Sequence, residues 1–387
     1  MMNETKQPIY SDDGGTGFEV EAIESNERRA EPFDPSQVRI ETMTFSIDLL
    51  LNRIKHKELD LEADFQIKAG IWSDKQKSRL IESILIRIPL PVFYIDVSKD
   101  DKWLVVDGLQ RLSTLDQFVL KNDLGLTGLE FYYDFEEKTY EELPRNFQRR
   151  ILETAVIVYL IRKDSPAQLK FNIFRRLNTG GTILTAQEIR HVLHQGKASQ
   201  LLKFLADSEE FKTATDNSIR TVRMVDRECI LRFLAFSITP YHKYMTSGFD
   251  FFLNDAMDTI NCMNENEIHK LEYQFFRAMK NAYSIFGPYC FRKIYEEKID
   301  NNRKYPINKA LFESWSVSLS MLNDGQLDVI IERKEYLIKI FVRLLEFAEF
   351  GFSISQQTGS KKNVFIRFSS IENIIQEVLN ASISSAS

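Results

Sequence analysis

Trp103 to Phe118 reads WLVVDGLQRLSTLDQF. An apolar, β-rich run stops at Asp107-Gly108, and Leu112, Leu115, Phe118 and Val119 then recur at helical spacing. The stretch therefore predicts a strand, a sharp polar turn and a helix in immediate succession. Upstream, PVFYIDV (91–97) and SKDDK (98–102) read as a strand and a turn, so a hairpin is expected to end at Asp107. TGLEFYYDF (127–135) is read as a further short strand, and TAVIVYLI (154–161) carries the strongest strand signal in the chain.

Helical patterns surround these strands. Ile47, Leu50, Leu51 and Ile54 share one face of SIDLLLNRIKHKEL. Ser73 with Gln76 has capping-box spacing, and Leu80, Ile81, Ile84, Leu85 and Ile88 follow before Pro89 and Pro91 stop the helix. LPRNFQRRILE (143–153) reads as a short basic helix containing Arg145, Arg149 and Arg150. Ser165, Pro166 and Gln168 open another helix, which ends at NTGGT (178–182), and Thr185 with Glu188 starts the next. Beyond Gly196 only apolar-periodic helices follow, from QLLKFLADSEEF to SIENIIQEVLN. The expectation is an α+β domain over 36–196 and an all-helical domain over 197–387, preceded by a flexible acidic arm, 1–35.

Composition bounds the function. Twenty-nine phenylalanines against 15 glycines suit a compact, helix-rich protein with a sizeable core. Cys229, Cys262 and Cys290 lie far apart, which argues against a disulfide framework or zinc knuckle and fits the cytoplasm. The start lacks a basic segment followed by an apolar one, so no signal peptide is expected, and no apolar run reaches the length of a membrane span. A net charge of −6 leaves nucleic-acid binding to local basic patches.

The turn at Asp107 has two readings. In one, Asp107 caps the helix and Arg111 is a solvated or structurally paired side chain. In the other, free N–H groups of the first helical turn meet an anion, Gly108 allows close approach, and Arg111 offers a fork of donors to phosphate oxygens. Asp107 would then hold a metal ion, orient Arg111 or act as a base. Asn178, Thr179, Gly180, Gly181 and Thr182, flanked by Arg175, Arg176 and Arg190, have the same duality: an anion nest or a helix C-cap. His191 and His194 lie three apart on one helix without a further close Cys or His, and read as core or surface residues. Arg220, Arg223 and Arg227, with Lys203, form a basic stripe spaced for one helical face. They present arginines to a DNA backbone or pair with Asp226 and Glu228. No P-loop, H-E-x-x-H or G-x-S-x-G signature is present.

LIESILIRIPLPVFYID, VVDGLQRLSTLDQF and FRRLNTGGTILTAQEIR, taken in order, resemble the N-terminal domain family of the GmrSD restriction enzymes. RMVDRECILRFLAF and NKALFES resemble its helical continuation, and the resemblance spans Thr42 to Leu379. It implies a fold similar to ParB and sulfiredoxin, and a nucleotide-binding, DNA-directed role in bacterial defence. The family's D-G-Q-Q-R element falls on Asp107, Gly108, Leu109, Gln110 and Arg111, and its N-T-G-G element on Asn178 to Gly181. An NTP with Mg²⁺ is implied, bound by Gln66, Lys68, Gly108, Gln110, Arg111 and the 178–182 loop, with Asp107 at the metal and Asp107 and Arg111 as catalytic candidates. Two positions depart from the pattern: Ile67 stands where an arginine is expected, and Leu109 replaces the first glutamine. The helical tail shows no H-N-H constellation, so DNA cleavage is assigned to a separate nuclease or defence subunit. Three activities stay open: nucleotide-dependent DNA engagement with hydrolysis, a non-catalytic sensor or adaptor with a degenerate site, and a metal-dependent nickase.

Overall fold

The computed structural model describes residues 17–19, 40–61, 72–98, 102–162, 170–173, 175, 185–219, 222–245, 248–294 and 304–381. The chain divides into two compact units, one spanning 33–193 and the other drawn from 1–32 and 194–387. The first is α+β and the second helical.

The α+β unit is built on a five-stranded mixed sheet of order β1-β5-β3-β4-β2. Its strands are β1 (Ile40–Ser46), β2 (Leu59–Asp60), β3 (Phe93–Asp96), β4 (Trp103–Asp107) and β5 (Ala155–Ile161). β3 pairs antiparallel with β4 and parallel with β5, β1 lies antiparallel on β5, and the two-residue β2 runs parallel to β4. The predicted hairpin is thus present, with its register shifting between Tyr94 and Ile95. Phe93, Ile95, Val105, Val156, Val158 and Leu160 point to one core. That core is closed by α1 (Ile47–Lys55), α2 (Asp74–Leu85), α3 (Leu109–Leu115) and α4 (Arg145–Glu153). A second, smaller core covers part of the other face: Phe171, together with Ile189 and Val192 of α5 (Ala186–Leu193), packs on Ile161.

The local signals explain the helix ends. Ser73 and Gln76 form the capping box at α2, with Gln76 Oε1 accepting from the Ser73 N–H at 2.9 Å. α2 stops three residues short of Ile88, which is exposed. Arg87 adopts φ 64°, and the Arg87 and Ile88 N–H groups close back on Ile84 and Ser83 at 3.0 and 2.9 Å. This left-handed cap, ahead of Pro89 and Pro91, ends the apolar stripe.

The strand expected over 127–135 does not form. Glu82 of α2 is buried, and its carboxylate collects the N–H groups of Glu130, Phe131 and Tyr132 at 3.0, 2.7 and 3.0 Å. Those donors are then lost to any sheet ladder, and the chain turns into a short 3₁₀ segment, Tyr133–Phe135. β1 was not anticipated: most of its residues are exposed on an edge strand, so alternation gives little signal.

In the helical unit, α6 (Lys197–Asp207), α7 (Glu209–Ala214), α8 (Val225–Ile238), α9 (Phe249–Cys262) and α10 (Glu265–Phe286) precede α11 (Lys309–Ser320). Then come α12 (Asp324–Glu332), α13 (Lys334–Glu346), α14 (Ala348–Ser355) and α15 (Lys361–Asn380). The run 200–211 gives two helices because Ser208 caps α7, accepting from Phe211 N–H at 3.3 Å. α11 is the central helix, packed by α8, α10, α14 and α15, and is buried almost all round. Its serines tolerate this because their hydroxyls donate back to helix carbonyls, Ser314 to Ala310 at 2.7 Å and Ser320 to Val317 at 2.7 Å. Glu313 of α11 lies in the core against Arg367 of α15, which also donates to the Thr358 carbonyl at 2.6 Å, and Arg232 of α8 approaches it at 3.8 Å. Three residues of the acidic arm, Gly17–Glu19, are not free: Phe18 is fully buried in this core. Among the described residues no helix is long and apolar enough to cross a membrane.

Two predictions follow from these buried carboxylates. Burial alone would raise the Glu82 carboxyl, but the three N–H groups and Arg79 bring it below its ordinary value of 4.5. A depressed folded pKa means that its stabilisation is full above pH 4.5 and is lost as pH falls through the folded value. Glu82→Gln is expected to lower stability at pH 7 by about 2 kcal/mol in denaturant unfolding. The gap from wild type closes on acidification; a gap that widens refutes the assignment. Arg367→Met is expected to cost about 3–5 kcal/mol, because it strips Glu313 of its closest charge partner. The double change Glu313→Leu with Arg367→Met should recover most of that loss in the same measurement.

Candidate functional site

β4 delivers Asp107 to the end of the hairpin, and Gly108 turns the chain into α3. Gly108 has φ 103°, and a Cβ there would lie 2.3 Å from the Phe93 ring. Only glycine therefore gives this turn without displacing β3. The first helical bond, Leu112 N–H to Gly108 O, is 2.9 Å.

Arg111 does not project outward. It is 8% exposed and folds back under the turn. Its Nη1 donates to the Pro91 carbonyl, and its Nη2 to Val92 O at 3.2 Å and Asp107 Oδ2 at 2.8 Å. Its guanidinium carbon lies 4.4 Å from the centre of the Phe93 ring. Burial pushes the guanidinium below its ordinary pKa, and Asp107 opposes that shift. Of the two readings of Arg111, the structure shows the paired one: both terminal nitrogens donate to groups of the turn and its surroundings. Asp107 itself keeps 41% of its side chain exposed.

Tyr94 of β3, paired in register with Asp107, and Tyr159 of β5 stand together with ring centres 5.0 Å apart. Burial raises the Tyr94 hydroxyl above its ordinary pKa, reinforced by Tyr159 and by the charge of Asp107. The described candidate site is thus Asp107, Gly108, Gln110 and Arg111 with an aromatic pair beside them. Gln66, Ile67, Lys68, Phe174, Arg176 and Asn178–Thr182 lie outside the described residues, as do Ser165 to Gln168.

A second polar cluster was missed from sequence. Asp96 ends β3 almost fully buried, and Lys170 Nζ, also buried, reaches its two oxygens at 3.3 and 3.4 Å and the Ser98 hydroxyl. The Ser98 N–H closes on Asp96 Oδ1 at 2.9 Å. Residues 170–173 and 175 are helical, so this ion pair anchors the segment from which the chain enters 176–184. The signal was an aspartate inside an otherwise apolar strand, FYID.

The remaining candidates separate. Thr185 and Glu188 cap α5 reciprocally, at 2.7 and 3.1 Å. His191 is buried, and His194 is buried against Asp258 at 2.6 Å. Arg190 is buried with its guanidinium over the Phe171 ring. Arg150 donates to Leu85 O at 2.8 Å and Arg149 pairs with Glu153, so the basic patch on α4 is largely committed. The basic stripe is not one helical face: Arg223 has φ 66° and Met224 φ 55°, and α8 begins only at Val225. Two left-handed residues break the helical register that the spacing assumed, and Arg220 lies outside the described residues. Glu228, expected to answer the stripe, pairs with Arg232 at 2.7 Å and with Lys309 at 3.3 Å. Among the described residues no group of three or more His, Cys, Asp or Glu comes together as a metal centre. A divalent cation at Asp107 would take most of its ligands from phosphate and water, as magnesium commonly does.

No curated protein matches this chain. The family model described as "GmrSD restriction endonuclease, N-terminal domain" matches residues 48–195, an interval that contains β2 to β5, α2 to α5 and the Asp107 turn. Over residues 48–195 this chain therefore matches the N-terminal domain of the GmrSD restriction endonuclease family.

Proposed function

We propose that the α+β unit binds a nucleotide at the β4–α3 turn, with Mg²⁺, and that the chain acts in DNA-directed, restriction-type defence. The observation that carries this reading is the state of Asp107. It is a half-exposed carboxylate at the end of a strand, held in place by a buried arginine and followed by the first turn of a helix. A carboxylate so fixed meets a phosphate-bound cation without first being ordered. The tyrosine pair beside it offers an aromatic face of the kind on which bases stack.

Sensing is favoured over rapid turnover. Phosphoryl transfer needs a cation that neutralises charge on the transferred group. In this turn the arginine is turned inward and donates to Pro91, Val92 and Asp107. Leu109 adds no amide at its position. In this reading nucleotide state governs DNA engagement, and cutting falls to a separate nuclease partner.

Calorimetric titration of the full chain with each of four NTPs in Mg²⁺ tests the reading. Wild type is expected to bind at least one saturably, and Asp107→Asn to weaken Mg²⁺-dependent binding by about tenfold or more. Wild type that binds none of the four sinks the proposal. Hydrolysis faster than about 1 s⁻¹, within the ordinary range for phosphoryl-transfer enzymes, would replace sensing by catalysis. Arg111→Ala is expected to cost about 3 kcal/mol of stability and to lose binding with it, since two backbone carbonyls and Asp107 lose a charged donor. Arg111→Lys should restore charge but not the fork, leaving both defects partly in place. DNA affinity, where present, should fall steeply between 50 and 200 mM salt on the order of counterion release.

A further inference from the structure

Gly17, Phe18 and Glu19 come from the acidic arm, yet they are seated in the helical unit like a guest strand. Ile307 N–H donates to Gly17 O at 3.0 Å and Glu19 N–H to Ile307 O at 2.8 Å, a parallel bridge extended by an antiparallel one between Ile307 and Arg292. Phe18 is fully buried, and Lys309 Nζ lies 5.6 Å from its ring centre. Glu19 receives a donor on each oxygen, Lys293 Nζ at 2.6 Å and Asn308 Nδ2 at 3.0 Å.

The receiving groups are part of the fold. Lys293 and Asn308 are both buried; Lys293 also donates to Ser355 Oγ at 2.8 Å, and Asn308 to the Ile354 carbonyl at 2.7 Å. Asn308 Oδ1 simultaneously caps α11 by accepting from Leu311 N–H at 2.9 Å. A Cβ on Gly17 would lie 1.9 Å from the Ser218 carbonyl oxygen, so the first position admits only glycine. Main-chain pairing, an aromatic pocket, a buried ammonium facing a carboxylate and a steric filter for glycine are the components of an extended-peptide site.

We propose that this cleft is a peptide-binding site that selects glycine, an aromatic residue and a carboxylate in succession, and that Gly17–Glu19 is its resident, detachable ligand. The external ligand is an extended segment of a partner protein bearing that pattern. Tethering gives the arm an effective concentration of about a millimolar, which an incoming peptide has to overcome. Because Asn308 serves both Glu19 and the start of α11, occupancy of the cleft bears directly on the central helix.

A labelled peptide of residues 11–26 is titrated into the full wild-type chain and into the full chain carrying Phe18→Ala with Glu19→Ala. The variant is expected to bind saturably, and wild type at least about tenfold more weakly because its own arm competes. Peptides carrying Phe18→Ala or Glu19→Gln should each bind the variant at least about tenfold more weakly. Equal binding to both chains, or none to a variant that circular dichroism shows folded, overturns the proposal. Should the variant not fold, amide exchange on wild type decides. The Glu19 and Ile307 amides are expected to exchange together through a local opening, faster than the core amides of α11. Exchange of these two amides only along with the core of α11 overturns the proposal.

Discussion

A guanidinium removed from water has to find acceptors, and in the α+β unit this requirement organises the loop that the sequence singles out. Arg111 finds the carbonyls of Pro91 and Val92, the carboxylate of Asp107 and the face of Phe93. These partners belong to the entry of β3 and the exit of β4, and Arg111 itself to the first turn of α3. One side chain thus fixes where a strand begins, where its neighbour ends and how the following helix starts. Gly108 is part of the same device, since the space a Cβ would occupy is filled by Phe93. Asp107 is left pinned on one side and open to solvent on the other. The exposed carboxylate and the buried arginine are two ends of one ion pair, so changes to either should alter the turn and the folding of the unit together.

The helical unit uses the same physics without the opening to solvent. Glu313 lies between Arg232 and Arg367, all three nearly or fully buried, and the three residues come from α8, α11 and α15. Such a set adds little net stability over an apolar core but penalises any packing that separates its members. It specifies which faces of three helices meet. The contrast lies in exposure: the Glu313 set is enclosed on every side, whereas Arg111 is coupled to a partner, Asp107, that keeps 41% of its side chain in solvent.

Much of the α+β unit is legible in its sequence because the signals are local. Ser73 with Gln76, Thr185 with Glu188, the β3–β4 hairpin and the strand at 155–161 are set by neighbours in the chain. Errors arise where a distant residue, or a left-handed residue that composition does not mark, decides. Glu82 takes three backbone donors from 130–132, 48 to 50 positions away, and cancels a strand that composition favours there. Arg87 closes α2 before Ile88 can join its stripe. The arginines at 223 and 227 keep helical spacing, but left-handed backbone at 223 and 224 destroys the face they were expected to share. At the candidate site, the pairing of Asp107 with Arg111 is visible as an i, i+4 spacing, but the inward direction of Arg111 is not. It depends on the Pro91 and Val92 carbonyls, which no spacing rule names.

β3 connects the two loops that the sequence marks. At its start, Phe93 and the preceding carbonyls clasp Arg111 and so the Asp107 turn. At its end, Asp96 clasps Lys170, on the helical segment that leads toward Asn178 to Gly181. The strand is four residues long, so these two clasps are separated by about 10 Å of extended backbone. It is also flanked on both sides, by β4 and β5, which leaves it little freedom to shift. In the reading proposed for the Asp107 turn, a ligand there would act against a strand whose far end holds Lys170. Asp96→Asn removes charge from that far clasp without touching Asp107. On this argument its effect on nucleotide affinity reports whether the two loops serve one ligand.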